Sequence, residues 1–201
     1  MKILGLSFSP HIQGNTESLM GEVLNGAQQE GSQTELYRVY GKDIKPCDGC
    51  RGCWETGDCH IQDDMQVLYE KLLEVDGIIF GTPIYFYGMS GLAKLVIDRT
   101  SALGRPEKNL ANKVGAVVTV CGSLGLETAL KDLYFYFVTR QMIPANFVAA
   151  YAGGKNEVIK LEKCLKAANE LGHQMVQIAG KKFEYPKDIH RSGIAYGTHT
   201  R

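Results

Sequence analysis

The sequence predicts an α/β protein: a doubly wound, five-stranded parallel sheet with helices on both faces and a cysteine-rich loop after the second strand. Three observations carry this. Short apolar runs alternate five times with stretches of helical period; a hydroxyl-rich turn joins the first run to the first helix; and four of the six cysteines crowd one aperiodic segment. Five β–α units demand a mainly parallel sheet, because parallel strands need crossover connections and these are right-handed.

The elements follow in order. KILGLSF reads as a buried strand, and GNTESLMGEVLNGAQQEG as a helix with Asn15 or Thr16 available to cap it and an end near Gly31. TELYRV is a second strand. Gly41 to Asp63 carries glycine, proline and cysteine with neither period, which marks a long functional loop. DDMQVLYEKLLEV opens on acids and repeats leucine or valine at helical spacing, so it is the second helix. GIIFGTP is the third strand, Ser90 to Thr100 a helix, KVGAVVTV the fourth strand, and Leu126 to Gln141 an aromatic-rich helix. NFVAAYA and the stretch from Asn156 to about Gly180 complete the pattern. Residues 1–180 therefore form one domain with the cysteine loop at 41–63, and 181–201 is a tail outside the core.

Composition narrows the function. At 201 residues the chain is long enough to bury a core without disulfide staples. With 22 basic and 22 acidic residues the formal charge is zero, which gives no broad electrostatic footprint for nucleic acid. No run of roughly 18 apolar residues is present to cross a bilayer, and MKILGLSFSP lacks the long hydrophobic segment of a signal peptide. A cytoplasmic protein is expected. In a reducing compartment, clustered thiols bind metal or do redox chemistry rather than form disulfides.

In SFSPHIQGNTES the hydroxyls of Ser7, Ser9 and Thr16, with His11 and Asn15 beside them and free N–H groups at the helix start, would surround a phosphate. The loop lacks both the glycine-lysine-serine/threonine ending of a triphosphate loop and the three spaced glycines of a dinucleotide turn. A monophosphate fits best, and with it the flavodoxin-like strand order. A turn and helix cap would use the same residue types. The second piece is GTPIYFYGMSGLAKLVIDR. Ligands of open parallel sheets sit beyond the carboxyl ends of the strands, where the order reverses, so the loops after strands one and three meet there. Tyr85, Phe86 and Tyr87 offer flat apolar surface to a ring system. Backbone groups across Pro83, Ile84, Gly88 and Met89 can hydrogen-bond its polar edge. VCGSLGLET, with Gly122, brings a third loop to the same rim. Arg99 and Glu127 lie nearby and read as ion-pair or capping residues.

SPHIQGNTE, GTPIYFYGMSGLAKLVIDR and the glycine-rich loop before Glu127 resemble the NADPH-dependent FMN reductase family of the flavodoxin-like fold, over about the first three-quarters of the chain. The resemblance implies FMN, with its phosphate at Ser7 to Thr16 and its isoalloxazine against Pro83 to Ser90. Many members carry a basic residue after the proline of the first loop, where this chain has His11, so neutral donors would carry more of the phosphate binding.

Cys47, Cys50, Cys53 and Cys59 form C-x2-C-x2-C-x5-C with Gly49, Gly52 and Gly57 between them. Short glycine-bearing spacers let a backbone wrap round a cubane and turn N–H groups toward its sulfides. Zinc competes, though structural zinc commonly uses two cysteine pairs separated by a longer span; thiol–disulfide chemistry needs only two cysteines. PCDGCRGCWETGDCHIQDDM is similar to the compact motif of the iron–sulfur flavoproteins, a branch of the same family. That likeness implies one 4Fe–4S cluster on these four cysteines and one FMN per subunit of a homo-oligomer, a dimer or tetramer. Cys121 and Cys164 read as ordinary residues, and the five histidines as scattered rather than a metal set.

FMN takes two electrons and releases them singly, while a cluster carries one, so the pair suits a two-electron to one-electron converter. The donor would be NAD(P)H or ferredoxin and the acceptor a small molecule or protein. No hydrolytic triad or carboxylate pair competes with this reading. Two alternatives stand beside it: an NAD(P)H-dependent FMN or quinone reductase without a cluster, and a non-catalytic electron carrier or redox sensor.

Overall fold

The computed structural model describes residues 1–105 and 108–186. Five parallel strands, β1 (Lys2–Ser7), β2 (Gln33–Arg38), β3 (Gly77–Tyr85), β4 (Val114–Cys121) and β5 (Ile143–Tyr151), form the expected sheet. Its order is β2-β1-β3-β4-β5. This is the flavodoxin-like order, with the reversal of direction between β1 and β3. The central strands read as unbroken apolar runs because both faces are covered: β4 is buried at every position.

Helices α1 (Asn15–Gln29) and α6 (Glu162–Gly180) cover one face, over Ile3, Ile79 and Val118. α3 (Met65–Glu74), α4 (Gly91–Arg99) and α5 (Leu126–Thr139) cover the other, over Leu6, Phe80 and Val117. α1 and α6 approach through two glycines. A Cβ on Gly26 would run into the Asn169 carbonyl, and one on Gly172 into that of Val23. Backbone contact this close fixes the height of α1, and so of its N-terminus, against the sheet.

Four local features differ from the sequence expectation. A five-residue helix, α2 (Gly52–Thr56), lies inside the cysteine loop; its glycine and threonine ends hide any period. β3 runs on to Tyr85 and folds back, pairing Ile84 with Met89 and Tyr85 with Gly88. The last helical stretch is split, with a 3₁₀ turn at Glu157–Lys160 before α6. Neither Asn15 nor Thr16 caps α1: the N-cap is Gly14, without a side-chain bond. Asn15 is drawn elsewhere, its Nδ2 donating to Gly154 O at 2.7 Å and its Oδ1 accepting from Val158 N–H at 3.2 Å. Of the tail, Tyr185 N–H donates to Asn112 Oδ1 at 3.0 Å; residues 187–201, with His190 and His199, lie outside the described residues.

Candidate functional site

Two cavities hold the chemistry read from the sequence. The larger, about 540 Å³, opens at the carboxyl ends of β1, β3, β4 and β5, at the reversal point. That volume falls in the range of small-molecule sites. Ser9, His11, Asn15 and Thr16 line it from the first loop, Pro83, Ile84 and Tyr85 from the end of β3, and Gly122 from the loop after β4. A fourth wall, Ala152 to Asn156, was not anticipated; Lys155 brings an ammonium to this rim. Its signal lay in the Gly153–Gly154 pair, which sequence alone does not distinguish from a turn.

The first loop has a fixed shape. Ser9 Oγ accepts from His11 N–H at 3.1 Å, Gly14 N–H donates to His11 O at 3.1 Å, and Gln13 N–H donates to Glu17 Oε2 at 2.9 Å. Buried Glu17 also takes Arg38 Nε at 3.0 Å. Ser7 differs from the expectation: it is fully buried in β1, and its hydroxyl donates to Glu17 Oε1 at 3.0 Å. It braces the loop from beneath and does not line the cavity. The first N–H bonded within α1 is that of Ser18, to Gly14 O at 2.9 Å. The preceding N–H groups of the helix therefore stay open at its positive end, beside the Thr16 hydroxyl. This is an arrangement that suits an anion.

Phe86, Tyr87, Gly88 and Met89 lie outside the cavity lining. Phe86 and Tyr87 form the two-residue tip of the hairpin, at φ 49° and 68°. Both central residues of such a turn need positive φ, which aromatic side chains rarely adopt. Phe86 is 98% exposed. The tip is held from behind, since a Cβ on Gly125, at φ 103°, would meet the Tyr87 backbone at 2.7 Å. Phe86 and Tyr87 instead border a shallow neighbouring hollow with Cys121 and Ser123, which shares Gly122 with the large cavity.

The second cavity, about 350 Å³, is lined by Cys47, Cys50, Cys53 and Cys59 together, with Arg99 and Ser101 behind them. Left-handed backbone at Gly49, Arg51 and Gly57 turns the loop around it. The neck is zipped: Asp43 N–H donates to Asp64 Oδ2 at 2.8 Å and Lys45 N–H to Asp63 Oδ2 at 2.9 Å. Beneath it Arg99 grips Asp63 through both terminal nitrogens, at 2.6 and 3.1 Å, with both side chains fully buried. Burial works against the Asp63 carboxylate, but Arg99 and the N–H groups of Lys45 and Met65 outweigh it and hold Asp63 below the usual range. The ion-pair role expected for Arg99 holds, at the cysteine loop rather than the flavin rim.

Burial first, then the neighbouring thiols Cys59, Cys50 and Cys47, push Cys53 up, opposed by a hydrogen bond with Ser101. Thiols that hinder one another's ionisation are released from that conflict by a shared cation. His60 bonds Asp48 Oδ2 at 2.8 Å, and Asp48 also accepts from Cys50 N–H at 3.1 Å. His60 thus steadies the turn between Cys47 and Cys50.

The profile of the NADPH-dependent FMN reductases matches residues 1–156. The chain belongs to this family. It is 38% identical over 192 residues to an iron-sulfur flavoprotein of Methanocaldococcus jannaschii, covering 89% of this chain and 97% of that one. An iron-sulfur flavoprotein of Archaeoglobus fulgidus is 35% identical over 147 residues, 72% of this chain and 75% of the other. Membership therefore falls in the iron–sulfur flavoprotein branch. A solved flavone reductase superposes with a TM-score of 0.71 at 22% identity, covering 90% of this chain and 63% of that one, which shows the fold. The fold, the family and the class of FMN-dependent oxidoreductase read from the sequence all hold. No helix among the described residues is long and apolar enough to cross a membrane.

Proposed function

We propose that this protein is a cytoplasmic iron–sulfur flavoprotein that passes electrons from a reduced donor to an acceptor through FMN and a 4Fe–4S cluster. The observation that carries the reading is the convergence of Cys47, Cys50, Cys53 and Cys59 on one cavity, separate from the larger cavity at the β1/β3 reversal. The names of the relatives support the same pair of cofactors.

The residues fit both groups. For FMN, the open N–H groups of α1 and the Thr16 hydroxyl would take the phosphate, with Ser9 and His11 beside them. Gly14 keeps this cradle clear, since a Cβ there would stand 2.8 Å from that of His11. Pro83, Ile84 and Tyr85 supply an apolar wall for the ring and exclude water from it. For the cluster, the four thiolates would ligate, with the buried Arg99–Asp63 pair holding the neck of their loop behind them. When bound, FMN exchanges electrons in pairs or singly and the cluster exchanges them singly. The protein's own part is to hold the two groups in place, orient them and set their potentials.

The donor is NAD(P)H or ferredoxin, and the acceptor a small molecule or a protein. The exposed aromatic tip at Tyr85, Phe86 and Tyr87 suits burial against a second copy, giving a dimer or tetramer. Residues 1–180 act as one FMN-binding domain and 181–201 as an appended tail.

Anaerobic assays with NADPH, comparing the wild type with Cys50→Ala, test the reading. The variant is expected to keep reduction of two-electron acceptors and to lose most transfer to one-electron acceptors. Equal transfer to both kinds of acceptor in the two proteins would leave a flavin reductase whose cysteines play no part.

A further inference from the structure

Arg99 ends α4 with only 2% of its surface exposed. Its four terminal N–H groups are engaged by the neck of the cysteine loop. Nη1 donates to Asp63 Oδ2 and to Lys45 O at 2.7 Å; Nη2 donates to Asp63 Oδ1 and to Ile61 O at 3.3 Å. A guanidinium has five donors. The fifth, Nε–H, is buried and has no partner among the described residues.

An unpaired donor on a buried cation is a costly defect that native interiors seldom tolerate without a use. Here Arg99 is also among the residues that line the cavity of the four cysteines. Other polar groups behind the thiols are already engaged. The Tyr69 hydroxyl donates to Arg99 O at 2.7 Å, and Ser101 Oγ accepts from Trp54 Nε1–H at 3.5 Å. Asp63 is the anion that faces Arg99, and both its oxygens are occupied.

We propose that Arg99 Nε–H is the cationic hydrogen-bond donor to the cluster that the four cysteines hold, so that one side chain both closes the loop and sets the potential of the group the loop holds. This rests on the cluster reading above. One-electron reduction adds a negative charge to the cluster, and a charge-assisted donor favours that more negative state. Arg99 therefore raises the midpoint potential.

The test is a redox titration, followed by EPR, of anaerobically reconstituted full-length protein, with iron and sulfide measured on each sample. Arg99→Lys keeps a positive charge but removes Nε–H, and its midpoint is expected to move to a more negative value. Asp63→Asn removes a facing negative charge and keeps Nε–H, and its midpoint is expected to move the opposite way. A residue that only ties the loop shut would give variants that lose iron alike, with the remaining clusters at the wild-type midpoint. Iron-loaded Arg99→Lys at the wild-type midpoint overturns the donor assignment alone. Wild-type protein that reconstitutes without iron overturns the cluster reading, and the assignment with it. Pulsed EPR on otherwise wild-type Arg51→Lys protein carrying guanidino-15N arginine needs no change at Arg99. A nitrogen coupling to the reduced cluster is expected, and its absence refutes the proposal.

Discussion

Gly14 closes the first loop onto α1, and Gly14→Ala isolates the shape of that loop from its chemistry. The backbone there, at φ −80° and ψ −176°, is one that any residue adopts, so alanine brings no backbone strain. The cost is steric. A Cβ would stand 2.8 Å from His11 Cβ and 3.0 Å from the His11 carbonyl oxygen, the group that accepts Gly14 N–H. Overpacking costs about 1–3 kcal/mol in a tight core; His11 is exposed and yields in part, which places this substitution near the lower end. For a chain of this size about 1 kcal/mol lowers Tm by roughly 2–4 °C. A similar loss in the cradle weakens FMN binding roughly five- to tenfold, since about 1.4 kcal/mol is tenfold in Kd. Titration by flavin-fluorescence quenching, beside a thermal melt, reads both. His11→Gly in the Gly14→Ala background removes the closer contact and is expected to recover part of the affinity. Wild-type affinity in a folded Gly14→Ala protein would refute the claim that this loop's shape holds the phosphate.

The remaining predictions concern the cysteine loop and the aromatic tip. Cys50→Ala is expected to lose iron while binding FMN with wild-type affinity, because the two cavities are lined by different loops; parallel iron and flavin assays check this. Asp63 has a depressed folded pKa, so its stabilisation is full above the ordinary carboxylate value of about 4 and is lost as pH falls through the folded value. Urea midpoints should drop for the wild type below about pH 4, whereas Asp63→Asn should be weaker at neutral pH and flatter in acid. At a protein concentration low enough to keep the chain a monomer, Phe86→Gly should raise Tm, against the usual sign for aromatic truncation. Positive φ at a non-glycine residue costs about 1–3 kcal/mol, and a side chain 98% exposed has little packing to lose.

The sheet was legible because its strands are continuous apolar runs bounded by glycine and its helices carry regular apolar spacing. Strand order followed from chemistry rather than pattern, since only the hydroxyl-rich first loop argued for the β1/β3 reversal. What stayed hidden depends on contacts distant in sequence. Asn15 looked like a cap, yet it reaches a loop 139 residues away. Ser7 looked like a phosphate ligand, but Glu17, one of the few buried acids, claims its hydroxyl. The β5 loop joined the site through a glycine pair that carries no signal by itself. Phe86 and Tyr87 concealed a tight turn because aromatic residues are not those that such a turn prefers. In the cysteine loop the spacing named the four thiols, while Arg99, 40 residues beyond Cys59 in the printed sequence, gave no sign of lying beneath them.

Metal, acid-labile sulfide and flavin analysis of anaerobically reconstituted protein, with EPR of the reduced sample, tests the central claim most directly. The account predicts one FMN per chain together with iron and sulfide in the equal amounts of a single 4Fe–4S cluster, and a reduced-cluster signal that disappears in Cys50→Ala. Stoichiometric zinc without iron, or flavin with neither metal nor sulfide, would contradict it.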